Sequence, residues 1–303
     1  MHRRVRTRVV ITTCDKDVAI VASGKGIPLH LQSLTDKESW KLFLNKAHIP
    51  EDSLNDSVLI SLKEKILRKC DGSPQEIIIL AGLLSTRNLT EWSSVIEHAF
   101  LEENILASSY EDLSPQIKSC FLYLGLFPGA FLIPVRRLLH LWLAEGLVTP
   151  LPEQNMASED PADKYFKEII NRGLIEVARL RSDGSPETCH LPGILWDFLP
   201  KAVGSRLFHA HNTTDYTSAK PPKFNVQRLA EYEVSRATLP LILTYNLRCY
   251  ISFNTRKRDL PAQEIGTFLN TIVIKRGFGL LRVLDLEGVY KPMLPKILRK
   301  FCT

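Results

Sequence analysis

The sequence predicts a mainly α chain with smaller α+β parts, and three observations carry that expectation. Ser119–Val148, SCFLYLGLFPGAFLIPVRRLLHLWLAEGLV, holds two very apolar helical runs separated by a Pro-Gly break. Helical patterns followed by a hairpin signal at Asp183-Gly184 give the order of a winged helix. A β-branched run at Val9–Ile11 and an LxxLxL spacing at Leu281, Leu284 and Leu286 add strand character at the two ends. The expected order is the end of an α/β domain (1–33), a helical bundle (34–110), a winged helix (111–204), a linker (205–225) and the degenerate start of a leucine-rich-repeat solenoid (226–303).

Bulk numbers bound the rest. A chain of 303 residues can bury two or three cores. The 39 Lys and Arg exceed the 33 Asp and Glu by six, mostly in the first eight residues, Arg256–Arg258 and the tail beyond Lys296, which reads as solvated surface before it reads as RNA contact. Six cysteines are scattered with no CxxC pair, so neither a zinc site nor a disulfide framework is expected and a reducing compartment fits. MHRRVRTR leads into only a short β-type run, unlike a secretory leader, and no charge-free apolar stretch is long enough to span a bilayer. A soluble, cytoplasmic protein is expected.

Taken in order, Val9–Ile11 followed by Thr12, Thr13 and Cys14 has the pattern of a buried parallel strand with a polar end. Either it edges a small sheet made later or it belongs to the back of a larger α/β domain; the second fits better. Leu29 and Leu31 offer a short strand. Thr35 and Glu38 fit a capping box ahead of Trp40, Phe43, Leu44 and Ala47, with Pro50 closing the unit. The next helix turns Leu59, Leu62 and Ile66 to one face and stops at Gly72. Ser73 and Pro74 open another, with Ile77, Leu80, Ala81 and Leu84 inside, and Trp92, Val95 and Ile96 mark a short helix beyond it.

Ser114 and Pro115 start the helix of Ile117, Cys120, Phe121 and Leu124, which Pro128 ends. Pro134 opens the next, where Leu138, Leu139, Leu141 and Trp142 are too many for one stripe, and Gly146 stops it in a left-handed residue. Asp160, Pro161 and Asp163 begin the third, with Tyr165, Phe166 and Ile169 buried and Gly173 ending it. Leu174–Leu180 and Thr188–Leu191 are the hairpin strands. Residues 205–225, with His209, His211, Pro221 and Pro222, read as linker; two histidines without a third ligand make no metal site. Leu239–Leu243 and Leu247–Phe253 are further apolar runs.

No GxxxxGK[ST], GxSxG, HExxH or paired-cysteine pattern occurs, and acidic pairs such as Glu111 and Asp112 lie on polar segments, so no enzyme is expected. A winged helix raises a second reading, a nucleic-acid binder. Its third helix offers Lys164, Lys167 and Arg172, but Asp163 and Glu168 dilute the basic face.

Several stretches together resemble the plant disease-resistance proteins of the nucleotide-binding, leucine-rich-repeat family, particularly the coiled-coil type. VVITTC at Val9–Cys14 looks like the family's strand ending in Thr-Thr-Arg, and LQSLTDKESWKLF at Leu31–Phe43 matches its next block. CDGSPQEI at Cys70–Ile77 corresponds to its Gly-Leu-Pro-Leu-Ala helix start, and Cys120–Val148 is the most specific match. The resemblance implies the rear of an α/β nucleotide-binding domain (NB-ARC), then helical bundle, winged helix and repeats, in receptors held inactive with ADP and switched by ATP to a defence response. It marks this chain as an N-terminally truncated fragment.

The same resemblance implies a degenerate cofactor site. Thr13 and Pro74 keep their places, the latter beside the adenine in such proteins, although Ser73 and Gln75 replace flanking leucines. Cys14 stands where an arginine would sense phosphate, and a thiol cannot make that forked contact. The family's Met-His-Asp triplet falls on Leu191, Pro192 and Gly193, so a ring without a donor replaces the imidazole; neighbouring His190 does not take its role. The expectation is a chain that binds no ADP or ATP by itself and acts, if at all, through protein contacts, with a full-length relative or a missing nucleotide-binding half as partner.

Overall fold

The structure, a computed structural model, describes residues 9–24, 26–49, 57–101, 105–129, 131–148, 161–202, 209–211, 227–232, 247–253, 266–267, 269–270 and 280–289. Pro50, Asp160, Leu239–Leu243 and the basic clusters at 1–8, 256–258 and beyond 296 lie outside the described residues.

The front of the chain departs from its sequence pattern. Val9, Val10 and Ile11 form no strand and are 76%, 88% and 62% exposed. Leu29 and Leu31 are likewise unpaired and exposed. β-branched residues favour a strand only where a neighbouring strand completes the ladder, and none among the described residues does so. Between them lies a helix not anticipated from the sequence, α1 (Lys16–Ser23), capped by the Asp15 carboxylate on the amides of Asp17 and Val18; it buries no residue.

α2 (Asp36–Lys46), α3 (Ser57–Cys70), α4 (Pro74–Ser85), α5 (Trp92–Leu101) and α6 (Ile105–Glu111) make the expected bundle. The capping box is formed: the Thr35 amide donates to Glu38 Oε2 at 3.0 Å and the Glu38 amide to Thr35 Oγ1 at 3.4 Å. These hydrogen bonds hold the exposed Glu38 carboxyl below its usual range. Phe43 stacks on Trp40 and meets Trp92 edge-on, joining α2 to α5.

α4 is the bundle's axis. A single inner face is too narrow a description, because Ile79, Gly82 and Leu83 are buried along with Ile77, Leu80, Ala81 and Leu84. α2, α3 and α6 pack around it, and its remaining side meets the next domain. A Cβ on Gly82 would stand 2.6 Å from the Asn171 carbonyl oxygen, and one on Gly173 2.5 Å from Ile78 Cγ2. Lys46 Nζ reaches the Ile170 carbonyl at 3.3 Å and caps the end of the facing helix, with burial holding its ammonium below the usual range.

The winged helix follows in the expected order: α7 (Pro115–Tyr123), a 3-10 turn at Leu124–Leu126, α8 (Val135–Glu145), α9 (Pro161–Asn171), β2 (Glu176–Leu180), β3 (Pro186–His190) and α10 (Gly193–Ala202). Ser114 caps α7 through the Ile117 amide, and Gly146 ends α8 at φ 72°. A strand missed in the sequence, β1 (Ile133–Pro134), pairs with β3 through Ile133 and Cys189, giving the antiparallel order β1-β3-β2. Two residues are too short a run to show periodicity, and Pro134 fits both an edge strand and a helix start. Trp142 packs against Phe166, and Leu138, Ile117 and Ile169 complete this core.

The last unit is a parallel sheet of β4 (His209–His211), β5 (Arg228–Glu231), β6 (Cys249–Ser252) and β7 (Val283–Asp285), in that spatial order. Successive parallel neighbours require the chain to return between each pair, a topology that a solenoid shares with strand–crossover–strand units. The segment 205–225, read as linker, therefore contains the first strand of the stack. Every residue of β6 is buried, while the LxxLxL leucines around β7 are half-buried with Val283 the inward residue.

Candidate functional site

The positions suggested by the resemblance do not assemble. Thr13 Oγ1 accepts from the Asp15 amide at 3.0 Å, so it serves the turn into α1, and Cys14 beside it is exposed. Pro74 is exposed at the first position of α4, and Ser73 takes the N-cap backbone conformation without a side-chain cap bond. Gln75 Nε2 donates to the Gly173 carbonyl at 3.3 Å, tying α4 to the winged helix. Glu76 occupies the first turn, its carboxyl raised by burial and by Asp71 while Lys69 opposes the rise. A helix start that would favour an anion thus already holds a carboxylate.

Pro192 is buried, and its carbonyl accepts from the amides of Leu195 and Trp196 to start α10. Gly193 is exposed and brings no side-chain donor. His190 Nε2 lies 3.3 Å from Glu176 Oε2 across the hairpin, so it belongs to the wing. Among the described residues, no hydrogen bond, ion pair or ring contact joins Thr13 or Cys14 to α4 or α10. A diphosphate needs several converging donors to offset its desolvation. The residues at these positions do not fit one.

The nucleic-acid face fares little better. On α9, Lys167 pairs with Asp163 at 2.9 Å. Arg172 is buried between Asp112 at 2.6 Å and Glu168 at 3.4 Å. Lys164 is exposed. Cations held by carboxylates on their own domain are poorly placed to release counterions from a phosphate backbone.

Functional groups converge instead where the winged helix meets the parallel strands, a site the sequence did not disclose. Arg228 of β5 donates to Glu145 at the end of α8 from Nη2 at 2.6 Å and Nε at 2.8 Å, with 7% and none of the two side chains exposed. The Tyr123 hydroxyl lies 3.3 Å from Cys249 Sγ beside this pair. Burial pushes both groups far above their ordinary ranges, so both stay protonated. Burial also raises the Cys70, Cys120 and Cys189 thiols to about 12, leaving them inert.

A second charge cluster, of two ion pairs on one arginine, closes the other end. Arg137 Nε contacts Asp285 at 2.8 Å and Glu287 at 3.0 Å while its guanidinium lies over Phe127 and Phe253. Phe131 and Tyr232 complete that aromatic cluster around Phe253. Four parallel strands are thus fastened to the winged helix by three ion pairs and a ring cluster, an arrangement suited to fixing one module's orientation on another. Among the described residues no group of His, Cys, Asp and Glu is placed to hold a metal, and no helix is long and apolar enough to cross a membrane.

Comparison with known proteins agrees with the winged helix. The family described as the disease resistance protein winged helix domain matches residues 126–199, from the 3-10 turn into α10. The disease resistance protein RPP13 of Arabidopsis thaliana is 34% identical over 200 residues, covering 63% of this chain and 24% of that protein. A putative RPP13-like protein 3 of the same plant is 30% identical over 93% of this chain and 33% of its own length. A putative late blight resistance protein homolog, R1B-23 of Solanum demissum, is 32% identical over 93% of this chain and 23% of its own. The chain thus spans between about a quarter and a third of the length of these curated relatives. It is a homologue of the plant disease resistance proteins, the family its sequence resembles, and carries their winged helix domain at residues 126–199.

Proposed function

We propose that the chain is a piece of a cytoplasmic plant immune receptor that carries repeat strands on a winged helix, works through protein contacts and neither catalyses a reaction nor holds ADP or ATP by itself. The carrying observation is the buried Glu145–Arg228 pair, which joins the two modules with both charges out of water. Such a pair contributes little net stability compared with apolar packing but strongly penalises any other docking of the partners. Support for a non-nucleotide role comes from Cys14, Pro192 and Gly193 at the substituted positions and from Glu76 in the first turn of α4.

The partner that fits this reading is a full-length relative or a separate nucleotide-binding half. Co-expression of the tagged chain with a full-length relative tests it: the two are expected to co-purify at fixed stoichiometry, and complete separation at physiological salt contradicts it. Titration with duplex DNA in a mobility-shift assay tests the other reading. No shift is expected, and a salt-dependent shift that Lys164→Ala weakens would favour a nucleic-acid binder.

A further inference from the structure

The front of the chain carries an apolar strip that nothing covers among the described residues. Nine of the fifteen exposed large aliphatic side chains fall within residues 9–31, and Val10, Val21, Ile27, Leu29 and Leu31 are each more than four-fifths exposed. α1, in the middle of this stretch, buries no residue. We propose that residues 9–31 pair two copies of this chain, through ladder hydrogen bonds between their Val9–Cys14 segments and burial of the aliphatic side chains around them.

The backbone supplies the first argument. Among the described residues, no N–H or C=O of residues 9–14 or 27–33 takes part in a backbone hydrogen bond. Val9–Cys14, VVITTC, combines three β-branched aliphatics, two threonines and a small thiol with no charge and no proline. An exposed six-residue segment of high β propensity pairs readily with an identical segment, because neither charge nor proline blunts its edges. Neither described sheet of the same copy takes it in, so a partner chain is the source of the ladder.

Surface area supplies the second argument. The nine side chains are 48–96% exposed and together present on the order of 1,000 Å² of apolar surface, whereas a monomer's largest patch is about 300–600 Å² and a stable association buries about 800 Å² per partner. In a two-fold contact the same patch serves both copies, so the strip that needs cover also provides it. Charge fits that symmetry. The charged residues of the stretch are Asp15, Lys16, Asp17 and Lys25, two of each sign, and residues 9–14 carry none. A self-contact therefore brings no net repulsion.

This pairing is separate from the contact with a full-length relative, and either can fail without the other. Sedimentation of the purified full chain over about 1–100 μM tests it. Reductant is kept present because Cys14 is exposed. A monomer–dimer equilibrium is expected, insensitive to added sodium chloride because apolar burial rather than ion pairing drives it. Val10→Lys or Leu29→Lys should weaken the dimer by about tenfold or more, since the ammonium is left unpaired and out of water, whereas Val10→Ile should retain it. Both positions are exposed in the single copy, so an unchanged melting temperature at the lowest concentration will show that the variants fold. Monomer throughout the range, open-ended growth to larger species, or a dimer that both lysine variants leave intact overturns the proposal. So does a monomer that takes up a separately expressed α/β domain through the same residues, which would give the strip to that partner.

Discussion

Glu145 and Arg228 decide more at the level of single residues than any position named by resemblance. With neither side chain appreciably exposed, removing one partner strands the other's charge away from water. Glu145→Ala is expected to cost about 3–5 kcal/mol in urea denaturation, whereas the double change Glu145→Leu with Arg228→Met should be near neutral. A single-variant loss below about 1 kcal/mol would show that the pair is solvated in solution. Glu38 gives a pH signature of its own. Its folded carboxyl lies below the ordinary value, so its contribution is present above the unfolded value and fades as pH falls through the folded one. The destabilisation caused by Thr35→Ala should therefore shrink in acid, and a pH-independent difference between variant and wild type would refute the reciprocal cap.

Among the elements, α4 and its contact with the end of α9 separate local rules from tertiary ones. Glycine inside an exposed helix is ordinarily improved by alanine, by about 1 kcal/mol. Gly82 is buried, and its added methyl would meet the backbone of Asn171 and Arg172 at 2.6 Å, where no flexible side chain can yield. Gly82→Ala is expected to destabilise by about 1–3 kcal/mol in thermal or chemical denaturation, opposite in sign to the propensity effect. Stabilisation would mean that bundle and winged helix are not in this contact. Local signals were legible wherever the determinant was local: the Thr35–Glu38 box, Ser114 before Pro115, and Gly146 after α8 all act within a few residues. Val9–Ile11 misled because strand propensity says nothing about whether a neighbour is present. β4 escaped notice because His209-Ala210-His211 has no β-branched residue and becomes a strand only by pairing with β5.

For the whole molecule, the candidate site was the least legible feature. Arg137 and Asp285 are 148 residues apart in sequence and Glu145 and Arg228 83, so no spacing or motif could join them before the fold did. What the sequence did disclose was a mainly helical chain with a winged helix; the resemblance added the expectation of substituted positions at Cys14, Pro192 and Gly193. The fold then placed Thr13 in a local turn and Pro74 on an exposed helix start. The winged helix and the parallel strands hold together by buried charge pairs and rings, and the proposal that the chain binds no nucleotide by itself stands on the substituted positions. Calorimetric titration of the purified chain with ADP in the presence of magnesium tests this most directly. The account predicts no saturable heat in the micromolar range. A micromolar or tighter complex, weakened by substitution at Thr13 or Pro74, would contradict it.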